Sequence, residues 1–560
     1  MTGGQSLSGR TRRHLKIDGW TLGTAAISLA VMLPILAVIL LAFSPGDDIW
    51  GHLSSTVLPL YVANTVQLMI GVGCGTFLIG VGGAWLVTMY RFPGKAVFEW
   101  ALLLPMAMPA YVIAYVYTDI LEYAGPVQGA LRDLFGWTSV RQYWFPEIRS
   151  LGGAISMMTL VLYPYVYLLS RAAFLEQSVG VLEASRVLGR NQWQSFYSVA
   201  LPLARPAIVI GISLVLMETL NDFGTVDFFA VYTLTLGIFD VWMNMSNIAG
   251  AAQLASLMLL FVIALVLVER FSRHNKWFHQ TTSTYKDLPG YELVGMKGWL
   301  ALFVCSFPVL LGFIFPSGVL LTYAVTHFDR AVNAVVLESA GNSLLLSGTA
   351  AVIAVLVAIF MAYGVRIKGG RALKVLTRLA SMGYAVPGSV LAVGVIAVLA
   401  SLDNTIDDFM RQNFGFSTGL MFSGTIAAVI FAYLVRFLAL SFGTVEASLT
   451  KITPSMDGAA RTLGHGAFST LRRVHMPLMR TSILTAAMLV FVDGMKELPL
   501  TIILRPFNFQ TLATYVHQFA SDEQLGEASL AALTIVGTGI VPVILLSYVI
   551  RKSRPGQETR

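Results

Sequence analysis

Two short polar strings stand at the ends of apolar runs in a chain that is otherwise poor in charge. The first is Glu218, Asn221, Asp222 and, a little further on, Asp227; the second is Asp493, Lys496 and Glu497. Glu218 and Asp222 are four apart, as are Asp493 and Glu497, a spacing that puts each pair on one helical face. Charges near membrane depth cost about 2.5–3.5 kcal/mol each, so they pair with one another or face a cavity. Three readings fit these residues. The first is a set of helix-end charges at the outer interface, with Lys496 paired to a nearby carboxylate. The second is a gate whose ion pairs close a pathway. The third is a transient ring of oxygen contacts for a hard cation, which Lys496 opposes because it repels a bare trivalent ion. Tyr111, Tyr115, Tyr163 and Tyr167 offer phenols to such a pathway, although tyrosines at helical spacing commonly serve packing.

The elements that carry these residues must be membrane helices. Of 560 residues, 56% are hydrophobic and only 12% are charged, against about 25% charged in a soluble domain. Mean hydropathy is +0.72. Continuous apolar runs exceed the roughly 20 residues that cross a bilayer, and their continuity argues against a β-barrel. The fold class is therefore all-α, a polytopic helical membrane protein. Cys74 and Cys305 sit inside apolar runs and read as buried structural thiols, with no disulfide framework and no cysteine metal site. No residue is assigned as a metal ligand or as catalytic.

Twelve spans are predicted, near 20–44, 62–90, 98–120, 152–170, 203–222 and 250–269, then 299–325, 342–365, 376–400, 420–441, 481–500 and 528–550. With the N-terminus in the cytoplasm, 30 of the 37 Lys and Arg fall on the cytoplasmic side, six of them counted with the loop before the eleventh span. That asymmetry is the positive-inside pattern. It places both termini in the cytoplasm and accounts for the net charge of +7 as a membrane-facing topology rather than a nucleic-acid footprint. The basic N-terminus precedes an apolar run and reads as an anchor rather than a removed signal peptide.

The chain is duplicated. Residues 183–208 read EASRVLGRNQWQSFYSVALPLARPAI and residues 458–483 read GAARTLGHGAFSTLRRVHMPLMRTSI, identical at nine of 26 positions with a shift of 275. Asn64 and Asn342, and Pro109 and Pro387, match at a shift of 278. The division is 1–275, a linker at 276–297, and 298–560. Each half has an even number of spans, so the halves relate by an axis along the membrane normal with a pathway between them. In each copy a glycine (Gly189, Gly464) ends one short helix and a proline (Pro202, Pro477) enters the next span, with a proline-started helix from Thr453 in the second copy. The two polar loops, 178–202 and 453–477, are thus helix–glycine–helix elbows, each offering an aromatic (Trp193, Phe468) as an anchor. An ordinary interfacial hairpin is the plainer alternative for one such loop; two in register point to a docking site for a partner outside the membrane.

The string Glu183-Ala184-Ser185-Arg186, followed by Gly189 and then V-x-L-P-L, resembles the EAA loop of ABC-importer permeases. The second copy fits at Ala459, Ala460, Arg461 and Gly464, but Gly458 stands at the glutamate position and Asp457 lies one residue early. Two-fold fusion, the string MPAYVIAYVYTDILEYAGPVQ, ETLNDFGTV at 218–226 and KELPLTIILRPFNFQTLAT at 496–514 resemble the fused permeases of ferric-iron importers, whose relatives carry thiamine. The resemblance implies a type I permease fold in a bacterial inner membrane. It also implies elbows that grip two ATP-binding cassette ATPase subunits and a periplasmic solute-binding protein docking outside. The outer loops near 121–150, 223–249 and 501–527 are long enough for short helices, and Asp133, Glu147, Asp240 or Arg505 could meet that protein there.

The chain has no phosphate-cradling loop of its own, since Phe92-Pro93-Gly94-Lys95 lacks the preceding glycine. ATP and Mg²⁺ therefore belong to the partner ATPase, and this chain is not an enzyme and binds no cofactor. Ferric iron is the favoured cargo by resemblance, with thiamine, polyamine and phosphonate as alternatives. An ion-gradient-driven secondary transporter is the alternative of another class.

Overall fold

A computed structural model describes residues 19–44, 49–176, 185, 187–274 and 290–552. It is almost entirely helical. Among the described residues, eleven helices are long and apolar enough to cross a membrane, and one bent pair of segments, residues 95–107 and 110–135, makes a twelfth if counted as one span. In chain order the crossing helices are α1 (Gly19–Ala42), α2 (Leu58–Met89), α3 (Ala110–Leu121, the apolar part of the bent pair), α4 (Leu151–Glu176), α5 (Leu201–Asn221) and α6 (Ile248–His274). In the second half α7 covers Met296–Thr326 through a π-helical turn at Leu310–Ile314. It is followed by α8 (Ala334–Lys368), α9 (Gly388–Phe414), α10 (Ile426–Thr450), α11 (Met476–Lys496) and α12 (Leu525–Lys552).

Proline sets two boundaries that hydropathy misplaces. Pro109 holds an extended conformation at the start of α3, and the chain bends by 88° there. Pro387 does the same before α9, so the ninth span begins at Gly388 rather than near 376 and runs on to Phe414. The preceding residues form a separate amphipathic helix, Arg371–Ala380. Proline lacks the N–H that would continue the ladder and biases the residue before it toward extended geometry.

The first helix of each half crosses to the other half. Helix α1 lies against α8, α9 and the Arg371–Ala380 helix as well as its own α6, while α7 packs on α4, α3 and residues 104–107 as well as α12. Each of the two large apolar cores therefore mixes residues from both halves. Two braces repeat the duplication atom for atom. Asn64 Nδ2 donates to Tyr232 O at 3.0 Å, and Asn342 Nδ2 donates to Gln510 O at 3.0 Å. Leu234 N donates to Thr65 Oγ1 at 3.0 Å, and Leu512 N donates to Ser343 Oγ at 2.7 Å. All four residues shift by 278.

At the end of the linker, Tyr291–Glu292 forms a short parallel pairing with Tyr90–Arg91 at the end of α2. Of the two cysteines, Cys305 is buried but Cys74 is exposed on α2, so only one fits a buried structural thiol. The outer loops do carry short helices, among them Pro126–Phe135, Gly224–Phe228 and Leu512–Ser521.

Candidate functional site

The two polar strings converge. Helices α5 and α11 end at Asn221 and Lys496, which brings their last turns to one chamber of about 90 Å³ between the halves. Glu218, Asn221, Asp222, Asp493, Lys496 and Glu497 all line it. Lys496 Nζ lies 2.9 Å from Asp493 Oδ1, one turn back on its own helix. Asp222 and Glu497 are the C-cap residues of their helices, and each also serves the short helix that follows. Asp222 accepts from Thr225 N at 3.0 Å, Val226 N at 3.3 Å and Thr225 Oγ1 at 3.0 Å, capping Gly224–Phe228. Glu497 accepts from Leu500 N at 3.2 Å at the start of Pro499–Leu504. The caps satisfy helix N–H groups that otherwise have no partner.

At the centre stands Arg436, on α10, only 2% exposed. Its Nη1 donates to Asn221 Oδ1 at 2.6 Å, its Nη2 lies 3.7 Å from Glu218 Oε2, and its Nε lies 3.3 Å from Glu497 Oε2. Asn221 Oδ1 also accepts from Gly388 N at 2.8 Å. The guanidinium thus ties α5 of the first half to α10 and α11 of the second. The charges are buried between the halves and not spread over an outer rim. Counting basic residues by loop assigned Arg436 to the cytoplasmic side, where it does not lie. The signal that finds it is an arginine deep inside an apolar run, which a membrane tolerates only toward a cavity or a partner.

Of the tyrosines singled out, Tyr111 lines the chamber. Tyr115 Oη shares a hydrogen bond with His517 Nδ1 at 2.6 Å, while Tyr163 and Tyr167 are fully buried in packing, Tyr167 donating to Glu99 O at 3.1 Å. Tyr165 and Tyr384, not singled out, line the chamber instead. Tyr384 also borders a larger cavity of about 760 Å³ whose lining includes Met217, Arg270 and Arg378.

Asp227 stands apart from the chamber and faces His517 Nε2 at 3.6 Å, another contact between halves. Burial, reinforced by the charge of Asp240, pushes the Asp227 carboxyl up to about 6. Burial, reinforced by Arg505, pushes the His517 imidazole down to about 4. At neutral pH the pair is therefore a neutral histidine against a carboxylate.

The elbows match in backbone detail. Gly189 has φ +82° and Gly464 has φ +80°, a left-handed geometry that favours glycine. Each is followed by a short helix, Gln192–Ser195 and Ala467–Thr470, then a π-helical turn, Phe196–Ala200 and Leu471–His475, then α5 or α11 with Pro202 or Pro477 in its first turn. Asn191 caps the first short helix, Gly466 precedes the second, and Pro454 starts the helix Pro454–Thr462 after Thr453. Trp193 and Phe468 project at 65% and 66% exposure, with Leu188 and Leu463 exposed beside them.

The elbows differ in what holds them. In the first, Ser185 and Ser195 share a hydrogen bond of 2.7 Å. In the second, Ala460 is buried, Ala459 and Arg461 are exposed, and Asp457 turns inward between Arg366 Nε at 2.9 Å and His475 Nε2 at 2.6 Å. Asp457 is therefore engaged within the chain and does not present its carboxylate outward in place of the missing glutamate. Glu183, Ala184, Arg186 and the cap candidate Ser178 lie outside the described residues.

The family model for the binding-protein-dependent transport system inner membrane component matches this chain twice, over residues 76–276 and 354–554. The chain belongs to that family. It is 27% identical over 544 residues to the Fe(3+)-transport system permease protein of Haemophilus influenzae, covering 94% of this chain and 97% of the relative. It is 22% identical over 554 residues to the ferric transport system permease protein of Actinobacillus pleuropneumoniae, covering 94% of this chain and 77% of the relative. A sulfate transport system permease protein of Escherichia coli is 30% identical over 281 residues, 47% of this chain and 96% of that protein. The chain is thus a transport subunit that carries the family unit in duplicate, a multi-pass permease of an ABC importer rather than an enzyme.

Proposed function

We propose that this permease imports ferric iron. The observation that carries the reading is similarity to ferric permeases along both halves at once, whereas the sulfate permease covers 47% of the chain. The chamber, lined by several carboxylates, offers the oxygen donors that hard cations take. Its acids outnumber its bases, four to two.

Two separate ATPase subunits bind on the cytoplasmic side, one to each elbow, and hold the ATP and Mg²⁺; this chain supplies no cofactor site. Glu183, Ala184, Ser185, Arg186, Gly189, Trp193 and Pro202 form the first coupling surface. Ala459, Ala460, Arg461, Gly464, Phe468 and Pro477 form the second, with Asp457 as its internal clasp. Because α5 and α11 leave the elbows directly and end at the chamber, a push on an elbow moves Glu218 or Asp493 as part of a rigid rod. A periplasmic binding protein delivers the cargo to the opposite face, the membrane is the bacterial inner membrane, and both termini are cytoplasmic.

The test is reconstitution. The purified chain is expected to co-elute with an ATPase, and vesicles are expected to take up radiolabelled iron, not thiamine, only with nucleotide and binding protein present. Uptake by this polypeptide alone on an ion gradient would overturn the reading in favour of a secondary transporter.

A further inference from the structure

The chamber asks one guanidinium to serve two carboxylates. Lys496 is committed to Asp493, and Asp222 is committed to Thr225 and backbone N–H groups. Arg436 is the cation in contact with both Glu218 of the first half and Glu497 of the second, with Asn221 as its third contact, while Lys496 reaches Glu218 only through longer-range attraction. It cannot simply leave, because removing one partner of a buried ion pair leaves the other charges uncompensated. Separation of the halves here is eased when another positive charge takes its place.

A second observation points to that charge. The Tyr111 hydroxyl is buried, belongs to a residue lining the same chamber, and has no hydrogen-bond partner. Two carboxylates, a phenol and the Asn221 amide oxygen are all oxygen donors of the kind that hard cations take. Among the described residues no three acidic, histidine or cysteine side chains converge on one point; the donors here are two carboxylates and two neutral oxygens.

We propose that Arg436 is the resident counter-ion of a transient cation site. A cationic cargo displaces its guanidinium from Glu218, Glu497 and Asn221, and so unlocks the first half from the second. When Arg436 returns, it expels the cargo, so the site never holds the ion tightly. The identity of the cargo as ferric iron rests on the reading above; the displacement itself requires only a hard cation.

The test uses the full chain in nanodiscs of zwitterionic phospholipid, without ATPase or binding protein, titrated with terbium(III), a hard trivalent ion whose luminescence nearby tyrosine sensitises. Arg436→Gln is expected to bind about tenfold more tightly than the parent chain, because the competing internal cation is gone. Adding Tyr111→Phe should reduce the sensitised emission. Adding Glu218→Gln and Glu497→Gln together should return the affinity to the parent level or below. If Arg436→Gln does not fold, Arg436→Lys, which cannot reach all three partners at once, is expected to bind about threefold more tightly. Parent-like affinity in the folded Arg436 variant, or tight binding that survives loss of both carboxylates, overturns the proposal. Failure here would leave the importer assignment standing, and a failure of the ATPase to co-elute would leave this result readable.

Discussion

The two halves are alike where they are braced and unlike where they meet. The Asn64 and Asn342 braces reach equivalent carbonyls at the same 3.0 Å, and the elbow glycines agree within two degrees in φ. In the chamber the acids still correspond, Glu218 to Asp493 and Asp222 to Glu497 at the shift of 275, but the cations and several neighbours do not. Arg436 corresponds to Val161 and Lys496 to Asn221 at the shift of 275, while Tyr384 corresponds to Met106 and Ser389 to Tyr111 at the shift of 278. Two identical subunits could not set one arginine against one acid from each side, because symmetry would supply a second arginine. Duplication within one chain lets the scaffold stay two-fold while the centre does not.

Making the centre symmetric should produce the largest effect. Arg436→Val, the residue of the other half, strands Glu218 and Glu497 and is expected to destabilise the protein by about 3–5 kcal/mol, read as a lowered thermal unfolding midpoint in detergent. An unchanged midpoint would mean the guanidinium does not tie the halves together. Next come the elbows. If they dock equivalently, Trp193→Ala and Phe468→Ala should each weaken ATPase binding by about 2 kcal/mol or more, as anchor residues do, measured as a dissociation constant. A large effect from only one would extend the asymmetry from the chamber to the cytoplasmic face.

A smaller effect is expected at the clasp. Asp457→Asn weakens charge-assisted bonds of about 1.5–3 kcal/mol each while keeping some of the contact. Hydrogen exchange should speed up across 454–470 and not across 187–200. Equal change in both elbows would contradict a clasp confined to the second half.

The smallest effect concerns pH, and its sign can be worked out. The Asp227 carboxyl is raised to about 6 in the folded chain, so between about 4 and 6 the folded state holds the extra proton and stability falls as pH rises. The His517 imidazole is lowered to about 4, so between about 4 and 6.5 the unfolded state holds the extra proton and stability rises with pH. The two slopes oppose, and the intact pair should show little net dependence. His517→Phe, which copies Phe239 at the equivalent place, should expose the falling slope, and Asp227→Asn the rising one, in unfolding midpoints taken across that range.

Hydropathy and duplication carried the fold, because a bilayer demands long apolar helices and the repeat fixes their pairing. They failed where backbone chemistry overrides composition. Pro387 starts α9 in the middle of an apolar stretch, and no hydropathy window registers a missing N–H. For the site, the two polar strings were legible as exceptions to the apolar rule, and their convergence followed from both helices leaving matched elbows. Arg436 was missed because basic residues were tallied by side of the membrane and one buried deep in α10 was swept into the nearest loop. The clasp on Asp457 was not legible because its two partners, Arg366 and His475, lie 91 and 18 residues away. Tyr163 and Tyr167 share the spacing of pathway residues, but their burial depends on neighbours that only the assembled bundle supplies.

The crossing of first helices has a consequence for biosynthesis. Helix α1 rests on α8 and α9, which start at Ala334 and Gly388. At about 5–20 residues per second on the ribosome, α1 waits on the order of 15 seconds to a minute, in lipid, for the surfaces that will cover it. An arrested polypeptide ending at the linker would therefore be an unfinished product with an unmet face, a natural substrate for membrane quality control rather than a working half-transporter.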